Sequence, residues 1–213
     1  MIFANNLQQG LHALELDFSV STQKQILDYL HLLEKWNRVY NLTAVRDITQ
    51  MISKHVLDSL AVLPYIHGTQ ILDVGTGAGL PGLLLAMTHP DWQCVLLDSN
   101  AKKTRFIRQA VIELGIKNVE IVCTRIEAFN PILEESGEDK KFSTIISRAY
   151  ASLSHFYQQT ARLCAVNGCL LAMKGIYPKD EIAELTDLPL TIESFPLKVP
   201  QLEAQRHLIV MRS

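Results

Sequence analysis

Two hydrophobic rhythms divide the chain. Up to about His67 the apolar positions recur at helical spacing. Ile26, Leu30, Leu33 and Trp36 share one face of a helix that Ser21 or Thr22 can cap. Ile48, Met51, Ile52, His55 and Val56 share a face of another, opened by Asp47 and ended before Pro64. From Thr69 onward short apolar runs alternate with helical segments. Residues 71–74, 95–98, 119–123, 144–147 and 170–173 read as strands, and residues 83–87, 102–114 and 153–164 as the helices between them. A final pair of strands is expected at residues 190–195 and 207–211. This β-α-β alternation predicts an α/β fold with a mostly parallel seven-stranded sheet, helices on both faces and an antiparallel finish. Residues 1–67 then form an N-terminal helical extension packed on a core of residues 68–213, within one compact unit. No internal repeat is visible, and the charged stretch 134–141 carries no assignable chemistry.

The first strand runs into Gly75-Thr76-Gly77-Ala78-Gly79-Leu80-Pro81-Gly82. Alternate glycines allow a sharp turn through positive φ and leave no side chain between backbone and ligand, and Pro81 suits the first turn of a helix. Gly77, Gly79 and Gly82 satisfy the dinucleotide spacing G-x-G-x-x-G. The loop nevertheless begins earlier, at Gly75, behind the acidic Asp73. D-x-G-x-G-x-G, from Asp73 to Gly79, resembles motif I of methyltransferases that use S-adenosyl-L-methionine. The second strand ends in Asp98, about 20 positions beyond the glycines, where a carboxylate can accept both hydroxyls of a ribose. Asp98 suits either adenosine-bearing cofactor and does not choose between them. A helix N-cap shared with Ser99 is its structural alternative.

Composition narrows the class. A chain of 213 residues suffices for one large core. No apolar run reaches the ~20 residues of a membrane span and no signal peptide is evident, so a cytoplasmic protein is expected. Cys94, Cys123, Cys164 and Cys169 form no C-x-x-C pair and read as reduced core residues, with no metal site. The formal net charge of -2 excludes a generally basic nucleic-acid binder, so any such surface is local. Lys102, Lys103, Arg105 and Arg108 form one basic cluster, and Arg38, Arg46 and Lys54 add charge to the helical part; each is either a solvated face or a phosphate contact.

Open α/β sheets bind ligands beyond the carboxyl ends of their strands. There lie Thr124-Arg125-Ile126-Glu127, Ser147-Arg148-Ala149-Tyr150 and Lys174-Gly175. With them the chain resembles a known family. The matching stretches are Trp36-Asn37 with Asn41-Leu42-Thr43-Ala44, His55 with Asp58-Ser59-Leu60, and Asp73 through Gly82. Leu96-Leu97-Asp98-Ser99 with Lys102-Lys103, Arg125 to Glu127, Ser147-Arg148-Ala149, Lys174-Gly175 and Arg206 to Val210 continue the series. In order and spacing they resemble the bacterial ribosomal RNA small subunit methyltransferase G family, also called glucose-inhibited division protein B. Leu80, Tyr150 and Met173 depart from the family's commoner residues without touching a polar contact.

The resemblance implies a Rossmann-like class I fold and S-adenosyl-L-methionine as cofactor. The partner it implies is 16S ribosomal RNA or the small ribosomal subunit, with no membrane, and an oligomer is not implied. The target implied is N7 of guanine 527 (RNA numbering), in the 530 loop near the decoding site. Asp73, Gly75, Gly77, Gly79 and Leu80 would line or frame the cofactor, Asp98 its ribose, Ile126 and Glu127 its adenine, and Arg148 would close the site. No catalytic residue is assigned; Arg148, Lys174 and Asn41 are positioning candidates. Guanine N7 already presents a lone pair, so alignment, not proton removal, is expected to set the rate, and His55 is read as structural. Three alternatives stay open on the residues alone: a methyltransferase of small molecules or proteins, a nicotinamide dehydrogenase, and a non-catalytic RNA-binding module.

Overall fold

The computed structural model describes residues 2–132, 140–149 and 151–212. Tyr150 and most of the charged stretch at 134–141 therefore lie outside the described residues. One seven-stranded sheet runs in the order β3-β2-β1-β4-β5-β7-β6. Its strands are β1 (Gln70–Val74), β2 (Gln93–Leu97), β3 (Val119–Val122), β4 (Phe142–Arg148), β5 (Cys164–Lys174), β6 (Thr191–Pro196) and β7 (His207–Arg212). The first five pair in parallel, and β7 is antiparallel to both β5 and β6. The order reverses between β1 and β4, which makes their carboxyl ends the switch point where such sheets open a crevice.

Alternation along each strand sorts the core into two faces. Ile71, Leu96, Ile146, Leu171 and Val210 point to one, and Leu72, Val95, Ile145, Leu170 and Ile209 to the other. The first face is covered by α1 (Ile2–Ala13), α2 (Val20–Tyr40), the helical stretch from α3 (Ile48–Met51) to α4 (Asp58–Leu60), α5 (Gly82–Thr88) and α6 (Ala101–Glu113). The second is covered by α7 (Leu153–Thr160), with Leu185 beyond α8 (Lys179–Ala183). Helices lie on both faces because rightward and leftward crossovers from the switch point, each right-handed, must use opposite sides. Gly82 lets α5 sit directly on the sheet, since a Cβ there would meet the Leu96 side chain and come within 2.8 Å of Asp73 Cβ.

Several elements differ from expectation. The α2 cap is Ser19, not Ser21 or Thr22: its hydroxyl accepts from Thr22 N at 3.1 Å, and the Thr22 hydroxyl lies 3.0 Å away to lock the turn. Asp47 does cap α3, accepting from Thr49 N. Between α3 and α4 the chain passes through a π-helical stretch, Ile52–Leu57. The helix read at 153–164 stops at Thr160, and after a 3-10 turn β5 begins at Cys164, well before residue 170. Asn167 and Gly168 form an irregularity inside β5. Asn167 takes φ 63, and the register against β4 shifts between Phe142 and Thr144. Pro81 lies one residue ahead of α5 as its cap, not inside the first turn. Cys94 and Cys169 are buried and Cys164 half-buried, but Cys123 is exposed, because it follows the edge strand β3.

Candidate functional site

The glycine loop needs its glycines. Gly75, Gly77 and Gly79 take φ of 69, 63 and 93, where any side chain is strained. The loop is then pinned from three directions. Gly75 N and Thr76 N both donate to the Leu97 carbonyl, at 2.8 and 3.1 Å, which fixes its base to the end of β2. Asp73 Oδ2 accepts from the Thr76 hydroxyl and from Gly82 N, both at 2.7 Å, so one carboxylate oxygen closes the turn onto α5. From the opposite side the buried Tyr29 of α2 donates its hydroxyl to the Ala78 carbonyl at 2.8 Å. Tyr29 was not singled out in the sequence. Its signal was a hydroxyl on the apolar stripe of Ile26, Leu30 and Leu33, which must find a partner when buried. Burial pushes the Asp73 carboxyl up to about 6 against the lowering by its Thr76 and Gly82 bonds. Its Oδ1 has no partner among the described residues.

Beyond the loop a cavity of about 430 Å³ opens at the strand ends, within the range of small-molecule sites. Gly75 follows β1, Asp98 follows β2, Ile126 and Glu127 follow β3, and Ala149 follows β4; all line it. Asp98 accepts from Gly77 N at 2.9 Å on one oxygen and from Asn100 N at 2.8 Å on the other. The N-cap of α6 is Asn100, so the capping alternative for Asp98 does not hold. Each Asp98 oxygen retains a lone pair for a further donor. Lys103 Nζ stands 3.9 Å from Asp98 and also lines the cavity, which separates it from Lys102, Arg105 and Arg108 on the exposed side of α6. Glu127 is fully exposed, its carboxyl lowered by its own backbone N–H and by Gln159, which donates to it at 2.6 Å. Asp73, Gly77, Gly79 and the buried Leu80 frame the loop from behind and do not line this cavity.

Arg148 faces elsewhere. It lines a second cavity of about 420 Å³ together with Lys54, His55, Asp58, Lys174 and Arg206. Ala149, at φ 55, belongs to both walls. Lys54 and His55 of the π-helical stretch and Asp58 at the start of α4 lie on this wall, while Ile52, Val56 and Leu57 remain in the core. Asp58, 3 % exposed, accepts from Arg206 Nε at 2.8 Å and from Arg148 Nη1 at 3.3 Å. Arg206 had entered only as part of the closing strand, and nothing local marks its partnership with Asp58. Lys174 donates to Ala151 O and to both oxygens of Glu181. His55 has Nε2 at 2.8 Å from the Thr43 hydroxyl and Nδ1 at 3.0 Å from the Lys54 carbonyl. Burial, then the charge of Arg148, lowers it to about 4, so the ring is neutral at pH 7. Asn41, the left-handed C-cap of α2, lines neither cavity and accepts from Arg46. Of Arg38, Arg46 and Lys54, Lys54 lines the second cavity, Arg46 donates to Asn41 and Arg38 pairs with Glu34.

Comparison with known proteins bears on the family and the fold. A family model described as rRNA small subunit methyltransferase G matches residues 22–209. A protein named Ribosomal RNA small subunit methyltransferase G from Laribacter hongkongensis is 49% identical over 209 residues, covering 98% of each chain. A protein of the same name from Neisseria meningitidis is 45% identical over 206 residues, covering 96% of each. Among solved structures, a SAM dependent methyltransferase from Aquifex aeolicus superposes with TM-score 0.55 at 20% identity, over 72% of this chain and 89% of that one. An rRNA methylase from Streptococcus thermophilus gives 0.52 at 17% identity, over 80% and 98%. At that identity the two structures bear on the fold, which is that of class I methyltransferases.

Proposed function

The chain belongs to the rRNA small subunit methyltransferase G family, and from that premise we propose that it methylates N7 of a guanine in 16S ribosomal RNA. The observation that carries the reading is the pair of cavities meeting at Ala149. A base entering the cationic cavity at the end of β4 meets whatever is held beside the glycine loop. S-adenosyl-L-methionine, when bound there, supplies a methyl group activated by a positive sulfur. Asp98 would accept the ribose hydroxyls with the lone pairs left after Gly77 and Asn100. Ile126 would pack on the adenine and Glu127 would accept from its amino group. Asp73, Gly77, Gly79 and Leu80 would act by holding the loop's shape, with Gly75 in contact.

N7 of guanine is a ready acceptor atom, so the chain need supply no base. The surroundings fit that economy: both His55 nitrogens are engaged and its basicity is depressed. The chain's contribution is orientation. Arg148 and Arg206, held at fixed angles by Asp58, would grip the RNA, and Lys174, fixed in place by Glu181, would stand beside them. Asn41 would keep the loop after α2 in its left-handed turn.

The test incubates the protein with small ribosomal subunits and labelled S-adenosyl-L-methionine, then maps the modified nucleotide by mass. One methyl on guanine N7 is expected, with cofactor affinity falling about tenfold or more in Asp98→Ala through loss of charge-assisted hydrogen bonds. A methyl on another atom, or preferential labelling of protein or small molecules in RNA-free extract, would overturn the reading.

A further inference from the structure

The loop that follows β5 exposes two apolar side chains beside the cationic cavity: Ile176 is 78% exposed and Tyr177 46%. This tip is not loose. Lys174 before it and Glu181 after it are joined through both carboxylate oxygens, and Glu181 also accepts from Leu153 N at 2.7 Å. Lys179 N donates back to the Tyr177 carbonyl at 3.0 Å. The Tyr177 ring meets His207 edge-on at 5.7 Å, and His207 Nδ1 lies 3.0 Å from the Gly175 carbonyl. Gly175 and Arg206, the neighbours of this pair, line the second cavity. An exposed aromatic ring thus stands beside a cavity whose wall carries Lys54, Arg148, Lys174 and Arg206 against two carboxylates, that of Asp58 and that of Glu181 paired with Lys174.

We propose that Tyr177 is a stacking platform for an unpaired RNA base adjoining the one that is methylated, with the phosphate between the two bases lying towards Arg206 and Lys54. The proposal rests on the reading of the second cavity as the entry for an RNA base. Charge complementarity selects the occupant: an excess of cations beside an aromatic face suits a polyanion that carries flat rings. Unpaired RNA is recognised by that combination of stacking and phosphate contact. A base drawn out of its stack to reach the methyl donor leaves its neighbour exposed, and a fixed ring at the rim compensates for the lost stacking. The contact with His207 is T-shaped, at 64° between the rings, so the two are not stacked on each other, and Tyr177 remains 46% exposed.

The experiment compares wild type, Tyr177→Ala, Tyr177→Phe and, as a surface control at the other end of β5, Val166→Ala. It measures S-adenosyl-L-methionine affinity by calorimetry, kcat and KM for small ribosomal subunits, and binding of a single-stranded 16S loop oligonucleotide. Tyr177→Ala should raise KM and weaken oligonucleotide binding about tenfold, within the range for loss of one stacked base, with cofactor affinity unchanged. Tyr177→Phe, which keeps the ring, should stay within about twofold of wild type, as should Val166→Ala. Unchanged KM and binding in Tyr177→Ala, or equal damage in Tyr177→Phe, would overturn the platform while leaving RNA methylation intact. Wild type that binds the cofactor but neither binds nor methylates the RNA would remove both readings together.

Discussion

His55 and Asp73 are titratable groups held away from their ordinary behaviour in opposite directions. His55 is lowered from 6.5 to about 4, so the unfolded chain takes up the proton first, and its contribution to stability is lost as pH falls through that window. Asp73 is raised from 3.8 to about 6, so its contribution is present in acid and lost as pH rises through 6. The two trends oppose one another between about pH 4 and 6 in the intact protein. His55→Gln should therefore become relatively more stable in acid, and Asp73→Asn more acid-sensitive, by up to roughly 3 kcal/mol each at the cited 1.36 kcal/mol per unit. Urea midpoints at pH 4.5 and 7 check this; parallel shifts at both pH values would refute it. Ala149 is a third case, an ordinary residue in the left-handed region at φ 55 where two cavities share a wall. Ala149→Gly should leave the melting temperature within a few degrees of wild type. Ala149→Val, β-branched, should cost about 1–2 kcal/mol and slow methyl transfer, read in one thermal scan and one rate assay.

The contrast between α2 and the π-helical stretch shows which elements a periodic reading can find. On α2, Ile26, Leu30 and Leu33 are fully buried as their spacing predicts, and Tyr29 between them carries the hydroxyl that holds Ala78. Tyr29→Phe removes only that bond. It should cost about 1 kcal/mol in chemical unfolding and weaken cofactor binding several-fold by loosening the glycine loop. No change in affinity would mean that the loop stands without it. Residues 48–56 also have helical spacing, yet the backbone there widens to a π turn. Met51, Ile52, Val56 and Leu57 are buried under either geometry, so the apolar pattern does not distinguish them. The polar residues Lys54, His55 and Asp58 share the cavity wall, at spacings of three and four that suit a helical face. Asp58→Asn should cost about 1–3 kcal/mol, because two arginines lose their shared acceptor but keep access to water, and should raise KM for RNA. A change in kcat alone would argue against a positioning role.

At the scale of the molecule, the strand ends were legible because open α/β sheets gather their ligands there, and Gly75, Asp98, Ile126 and Glu127 do surround one cavity. Two things were not. Arg148 ends β4 and Ala149 follows it in the left-handed region, where the pleat no longer applies: the arginine lines the second cavity while the alanine borders both. The bond from Arg206 to Asp58 spans 148 positions, and no local pattern reports a contact of that length. That bond also has a consequence for the order in which the protein is made. During synthesis from the N-terminus, Asp58 emerges early and the glycine loop with Asp98 follows within the next stretch of chain. The carboxylate of Asp58 then waits for Arg148, and longer still for Arg206 and its neighbour His207. The lining of the pocket beside the glycine loop is thus complete in the growing chain at Ala149, well before the second cavity has its full set of cations at Arg206.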